Sequence, residues 1–302
     1  MSAVDHRAEP RVRVLRGTPS LGPLYARALL ARPDPAADPT GVELEQHGVR
    51  AGAAHAAAYA RVCGFGLRDE LPATYPHLLA FGAQVALMVT EPFPFRLAGL
   101  VHVRQRVEQH RPLRVGEELD VRVAASPVRS ARSGAVVDLL AQVRAAGTQE
   151  VLWRGTSTYL ARVERARAGA VADDVPALEP PVPGEGGAGQ PALWRVAPDT
   201  GRRYAAVSGD VNPIHVSALG ARALGFAGPI AHGMWTAARS LAALEGRLPG
   251  ALALDVRFAR PLPLGAAVED VALREGGDWR TAVRGGSGQS RRLHLVAAVG
   301  PA

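Results

Sequence analysis

The chain alternates between runs that suit buried helices and runs that suit strands. Leu78 to Met88 is apolar apart from Gln84 and reads as a helix. Partly alternating stretches follow near Gly99 to Gln109, Glu118 to Ala124, Ala135 to Arg144 and Val151 to Arg162, and these read as strands. The same succession returns later. Gly233 to Glu245 (GMWTAARSLAALE) lacks proline, is rich in Ala and Leu and stops at Gly246, which predicts a helix with apolar side chains on most faces. Behind it, 252–259, 267–274, 279–285 and 291–299 alternate in part and are separated by Pro-Leu-Gly or glycine-rich turns, as antiparallel strands are. A helix wrapped by a meandering sheet, twice over, is an α+β layer arrangement.

Between the two successions the composition shifts to GAVADDVPALEPPVPGEGGAGQPA, a Pro/Gly/Ala-rich stretch without sustained apolar period. It predicts an N-terminal part of residues 1–165, a linker of 166–191 and a C-terminal part of 192–302. The two parts share short matches in the same order. Tyr59-Ala-Arg-Val-Cys-Gly-Phe65 resembles Tyr204-Ala-Ala-Val-Ser-Gly-Asp210, and Arg111-Pro-Leu-Arg-Val-Gly116 resembles Arg260-Pro-Leu-Pro-Leu-Gly265. An internal duplication follows.

Composition narrows the chemistry. At 47% hydrophobic and 21% charged residues the 302-residue chain is an ordinary globular sequence. The single cysteine, Cys63, cannot form an internal disulfide, and no charged segment followed by an apolar run opens the chain, so a cytoplasmic protein is expected. Leu78 to Val89 is too short to span a bilayer. All 35 basic residues are arginine, which rules out a Walker-type phosphate loop and a pyridoxal Schiff base, both of which need lysine. One cysteine and no HExxH-type histidine pair leave no metal centre expected. The net charge of +7 is spread over scattered arginines, which suits a phosphate-bearing small molecule or an acidic carrier protein better than nucleic acid.

The most informative residues are Ser208-Gly-Asp-Val-Asn-Pro-Ile-His215. Pro213 is suited to the first position of a helix, Asn212 to its N-cap and Ala218 to Leu224 to its body before Gly225. Asn212 is the only asparagine in the chain. His215 then lies in the first helical turn, and a tight turn at Gly209 folds the Asp210 carboxylate back toward the same helix end. A carboxylate and an imidazole sharing a site can hold a water or hydroxyl between them and exchange protons with it near neutral pH.

Tyr204 to His215, followed by Gly228-Pro-Ile-Ala-His-Gly-Met234, resembles the signature of the MaoC-like (R)-specific enoyl-CoA hydratases and 3-hydroxyacyl thioester dehydratases. The resemblance implies hot-dog folds, and with the duplication a double hot dog. It implies that Asp210 and His215 activate the water that adds to an enoyl thioester, that Asn212 orients them with Ser208 and Gly209 in support, and that the Gly233 N–H polarises the thioester carbonyl. That last role also suits the unsatisfied donors of a helix N-terminus. The implied substrate is an acyl-CoA or acyl carrier protein thioester, with no further cofactor, in a monomer or a homodimer of double hot dogs.

The N-terminal copy departs from this pattern. Phe65 stands at the Asp210 position, and Leu67, Arg68 and Glu70 fall opposite Asn212, Pro213 and His215, so this copy lacks the acid/base pair. The resemblance to double hot-dog hydratases implies that it completes the pair of repeats and makes room for a longer acyl chain. Cys63 reads as a small buried filler, His77, His102 and His232 as structural, and Trp153, Trp194 and Trp279 as packing. Two other readings stay open: a hot-dog thioesterase, for which Glu245 is the only acid in the predicted helix, and an acyl-thioester binding protein without turnover.

Overall fold

The computed structural model describes residues 10–131, 133–162, 178–182, 184, 191–286 and 291–302; most of the expected linker lies outside these. In chain order the elements are β1 (Arg11–Val14), α1 (Leu21–Leu30), β2 (Val42–Arg50), α2 (Ala53–Cys63), α3 (Pro76–Thr90), β3 (Leu100–Gln109), β4 (Glu118–Ala125), β5 (Arg129–Ala131), β6 (Gly134–Ala145) and β7 (Val151–Ala161). The second succession is β8 (Ala192–Arg195), α4 (Thr200–Ser208), α5 (Pro213–Val216), α6 (Ala218–Ala223), α7 (Gly233–Ala242), β9 (Leu252–Phe258), β10 (Ala267–Glu275), β11 (Asp278–Gly285) and β12 (Arg292–Gly300).

All the strands join one sheet in the order β1-β2-β4-β6-β7-β3-β9-β12-β11-β10-β8, with β5 beside β6. Each helical succession wraps its part of the sheet around one central helix, α3 or α7, which is the double hot-dog arrangement. In α3 every residue from Ala80 to Val89 is buried, as its nearly continuous apolar sequence requires. Pro76 occupies a first-turn position where its missing N–H costs no intrahelical bond. In α7 the buried side chains include Met234, Trp235, Ala238 and Leu241.

The two copies meet through the sheet and through their helices. At the sheet, β3 pairs antiparallel with β9 from Arg104 opposite Arg257 to Gln109 opposite Leu252. Arg104 also makes a bidentate ion pair with Asp255 across this joint, with Nε 2.8 Å from Oδ1 and the second contact from Nη2 to Oδ2. At the helices, α2 packs on α4. Each ends in a left-handed glycine, Gly64 at φ 87° and Gly209 at φ 72°. Tyr59 and Tyr204, the first residues of the matched sequence pair, are both buried with ring centroids 6.3 Å apart.

Some expected boundaries move for local reasons. The helix expected over 233–245 closes at Ala242, beyond which turn hydrogen bonds from Ala243, Leu244 and Glu245 take over. The helix expected from Pro213 to Leu224 is two short helices, because Ser217 adopts an extended backbone and its hydroxyl accepts from the Gly220 N–H, starting α6 afresh. No helix lies between Phe65 and Tyr75, in keeping with the shorter N-terminal interval. Among the described residues, no helix is long and apolar enough to cross a membrane.

The Arg104–Asp255 pair is mostly buried at the joint, with side-chain exposures of 14% and 26%. Asp255→Ala strands the guanidinium there and should cost about 1–3 kcal/mol of stability, read as a lower urea midpoint at unchanged slope.

Candidate active site

The turn that follows α4 is shaped by the short residues of the motif. Gly209 takes the left-handed conformation that closes the helix, with its N–H on the Ala205 carbonyl. The Ser208 hydroxyl donates to the Tyr204 carbonyl at 2.9 Å and accepts from the Asp210 N–H at 3.1 Å, so it links the last turn of α4 to the carboxylate-bearing residue. Asn212 is the expected N-cap: its side-chain oxygen accepts from the Ile214 N–H at 3.3 Å, and its carbonyl accepts from the His215 N–H at 3.0 Å. His215 is therefore presented, buried, from the single turn of α5.

Asp210 is surrounded by donors. Its Oδ1 accepts from the Tyr25 hydroxyl at 2.8 Å and from the Asn212 N–H at 3.2 Å, while Oδ2 lies 3.8 Å from Nε2 of His232. Burial would push this carboxyl up, but His232, His215, Tyr25 and the Asn212 N–H outweigh it and hold the group below the usual aspartate value. His215 donates from Nδ1 to the Ile230 carbonyl at 2.9 Å, which fixes Nε2 as its acceptor nitrogen. Burial lowers its pKa below the ordinary 6.5, so the ring is neutral at pH 7.

The structure places three histidines that read as structural in the sequence around the same site. His232 caps α7, stacks on His215 with centroids 3.7 Å apart, and donates from Nε2 to the Asp210 carbonyl at 2.9 Å. It touches both Asp210 and His215. His77 on α3 and His102 on β3 line the same cavity of about 290 Å³ as Asp210 and His215, although they come from the other copy. Burial lowers His77 to about 4 and His102 and His232 to about 3. Their place at the cavity was hidden because the sequence supplies no motif around His77 or His102; only the β3–β9 joint brings them over. Tyr25 was missed for a similar reason, lying in an element that the sequence pattern did not reveal.

Gly233 is the first residue of α7 and also lines the cavity, so its N–H is one of the donors that the helix itself cannot satisfy. A methyl group at this position would come within 3.0 Å of the Phe258 ring. Cys63 is fully buried, and burial raises its thiol to about 12, which suits a filler and not a nucleophile. Trp153 is fully buried and donates to the Ala73 carbonyl, Trp194 packs edge-on against Trp235, and Trp279 carries Arg247 and Arg274 over its ring. Glu245 accepts from the Gly66 N–H at 2.7 Å and pairs with Arg68, which ties the one candidate thioesterase carboxylate to the loop after α2.

Asp210, His215 and His232 each offer a donor atom within 4.8 Å of the others. That spacing would admit a metal ion; the two imidazoles are stacked at 26° between planes. His215 holds a backbone carbonyl through Nδ1 and His232 through Nε2, and a hydrogen bond of this kind leaves the other ring nitrogen open to a proton or a metal.

A carboxylate kept ionised beside a neutral imidazole, at the mouth of a helix N-terminus in a double hot dog, defines an acid/base site of the MaoC type. The family model described as "MaoC like domain" matches residues 180–290, and the chain belongs to this family of dehydratases. It is 36% identical over 234 residues to 3-hydroxyacyl-thioester dehydratase X of Mycobacterium tuberculosis, a match covering 76% of this chain and 80% of that protein. A crystal structure of HtdX from the same organism superposes with a TM-score of 0.72 at 33% identity, covering 85% of this chain and 98% of the other. A second M. tuberculosis protein, described as having a double hotdog fold, shares that fold at 15% identity and a TM-score of 0.57, covering 84% of this chain and 93% of its own.

The buried histidines set the acid stability. Below pH 6.5 the unfolded chain protonates His77, His102 and His232, whereas the folded protein resists until about pH 4 or 3. Stability is therefore full above pH 6.5 and falls as the pH drops, approaching about 1.4 kcal/mol per pH unit for each histidine. Thermal melts from pH 7.5 to 4.5 should show a falling midpoint that His102→Phe makes shallower.

Proposed function

We propose that the chain catalyses the reversible hydration of trans-2-enoyl thioesters to (R)-3-hydroxyacyl thioesters, as a hydro-lyase acting on coenzyme A or acyl carrier protein substrates. The observation that carries this reading is that the Asp210 carboxylate, the His215 ring and the Gly233 helix end line one cavity. In hydration, a water held by Asp210 and Nε2 of His215 attacks Cβ. The double-bond electrons shift to the thioester oxygen, where the Gly233 N–H and the positive end of α7 stabilise the enolate. The water's proton passes to the Asp210–His215 pair and returns to Cα as the carbonyl re-forms. One water is added, and neither a redox cofactor nor a metal is required by these steps.

The acyl chain has apolar wall to lie on in the N-terminal copy, where Phe81, Leu100 and Tyr159 line the cavity. On the other side Arg260, Phe226 and His294 are shared with an adjoining groove of about 540 Å³ that also contains Arg292. These two arginines suit the phosphates of the thioester carrier. The double hot dog already contains one pairing of copies, which supports a monomer or a homodimer.

The test is loss of enoyl absorbance with crotonyl-CoA and a longer trans-2-enoyl-CoA. Wild-type protein should form the (R)-3-hydroxy product, with kcat lowered about 10²- to 10⁴-fold in Asp210→Asn and in His215→Ala, each assayed well below its own melting temperature. Free thiol in place of hydration would shift the assignment to a thioesterase, and binding without turnover to a silent acyl-thioester protein. If the groove holds the carrier, Arg260→Ala combined with Arg292→Ala should raise KM about tenfold or more and leave kcat intact.

A further inference from the structure

Oδ1 of Asp210 is held from two directions. One donor, the Asn212 N–H, belongs to the motif turn itself. The other, the Tyr25 hydroxyl, arrives from α1, far away in sequence and outside the motif. We infer that Tyr25 is a positioning residue for the reaction: its hydroxyl pins Oδ1, so that Oδ2 stays turned toward the imidazole side and the carboxylate is kept from rotating or taking up a proton. This inference rests on the hydration reading above.

The placement of α1 gives the hydroxyl a fixed origin. Leu21 lies over the Cα of Gly209, close enough that any side chain there would collide with it, and Thr18 and Pro19 lie against Gly82 of α3. The helix thus rests on the central helix of one copy and on the catalytic turn of the other. Tyr25 is half-buried, and burial together with the adjacent carboxylate raises its pKa above the ordinary 10, so it remains a proton donor in the hydrogen bond throughout the working pH range. The other titratable groups that face Asp210 are His215 and His232, with His77, His102, Tyr159 and Tyr204 farther off. The histidines are held neutral by burial and the tyrosines protonated, which leaves oriented dipoles, not formal cations, to stabilise the charge at pH 7.

Tyr25→Phe removes the hydroxyl and keeps the ring. With crotonyl-CoA as the probe, kcat should fall about tenfold or more while KM stays within about twofold, and the acid limb of the kcat profile should move to higher pH because the carboxylate has lost a donor to its charged form. A kcat near the wild-type value, or a limb that does not move, overturns the inference. Wild-type protein that fails to hydrate any enoyl thioester instead removes the hydration reading. The Tyr25–Asp210 bond is then judged without turnover, by urea unfolding of wild type, Tyr25→Phe, Asp210→Ala and the double variant. Non-additive midpoints support the contact, and additive ones overturn it.

Discussion

A carboxylate taken out of water stays charged only if fixed dipoles replace the solvent, and at Asp210 those dipoles come from parts of the chain that are remote in sequence. The Asn212 N–H comes from the motif, the Tyr25 hydroxyl from α1, and the His232 ring from the cap of α7. The rest of the structure can be understood as the means of delivering them. The left-handed glycine at 209 turns the chain sharply enough for Asp210 to face back, and it admits Leu21 on its open face, which brings α1 and its tyrosine within reach. Had residue 209 carried a side chain, both the turn and the docking of α1 would be lost together.

The same burial sets the state of the imidazoles. A cavity that keeps His215 neutral also keeps His232, His77 and His102 neutral, because each loses more hydration as a cation than its neighbours restore. For His215 this is useful: with Nδ1 committed to the Ile230 carbonyl, a neutral ring presents one basic nitrogen. For the other histidines the consequence falls on stability in acid. The single basic nitrogen of His215 and the acid lability thus share one cause, the burial of the imidazoles around the cavity between the two copies.

Local chemistry made much of this legible in the sequence. The turn at Ser208-Gly209, the cap at Asn212 and the helix start at Pro213 are each dictated by a residue's own hydrogen-bonding or backbone preferences, and they were readable without knowing the fold. The central helices and the long strands were likewise readable from apolar patterning. What could not be read is what depends on tertiary approach. Residues of α1 give no buried stripe, since LGPLYARALL contains an early proline and no fully buried side chain, so neither the helix nor Tyr25 announced itself. The short edge strand β8 owes its structure to pairing with β10, and β2 to pairing with β4 and the edge strand β1. His77 and His102 become cavity residues only once β3 is zipped to β9.

The duplicated turn shows how one arrangement can have two fates. After α2, Gly64 adopts the same left-handed cap as Gly209, but Phe65 follows it and lies parallel to Tyr59 instead of offering a carboxylate. The space beside this turn is taken from the opposite copy: Trp235 donates to the Val62 carbonyl at 2.9 Å, and Arg239 lies against Gly64 while stacked over Trp194. The side chains of α7 therefore serve both ends of the interface. Its N-terminal glycine is open to one cavity, and its body seals the turn that has no acid. With the second turn filled, the N-terminal copy offers no acid at the matching position, yet it brings Tyr25, His77 and His102 to the surroundings of Asp210, while its helix α3 is buried along nearly its whole length. The asymmetry between the copies is thus that one carries the carboxylate and the other contributes a tyrosine donor and part of the cavity wall around it.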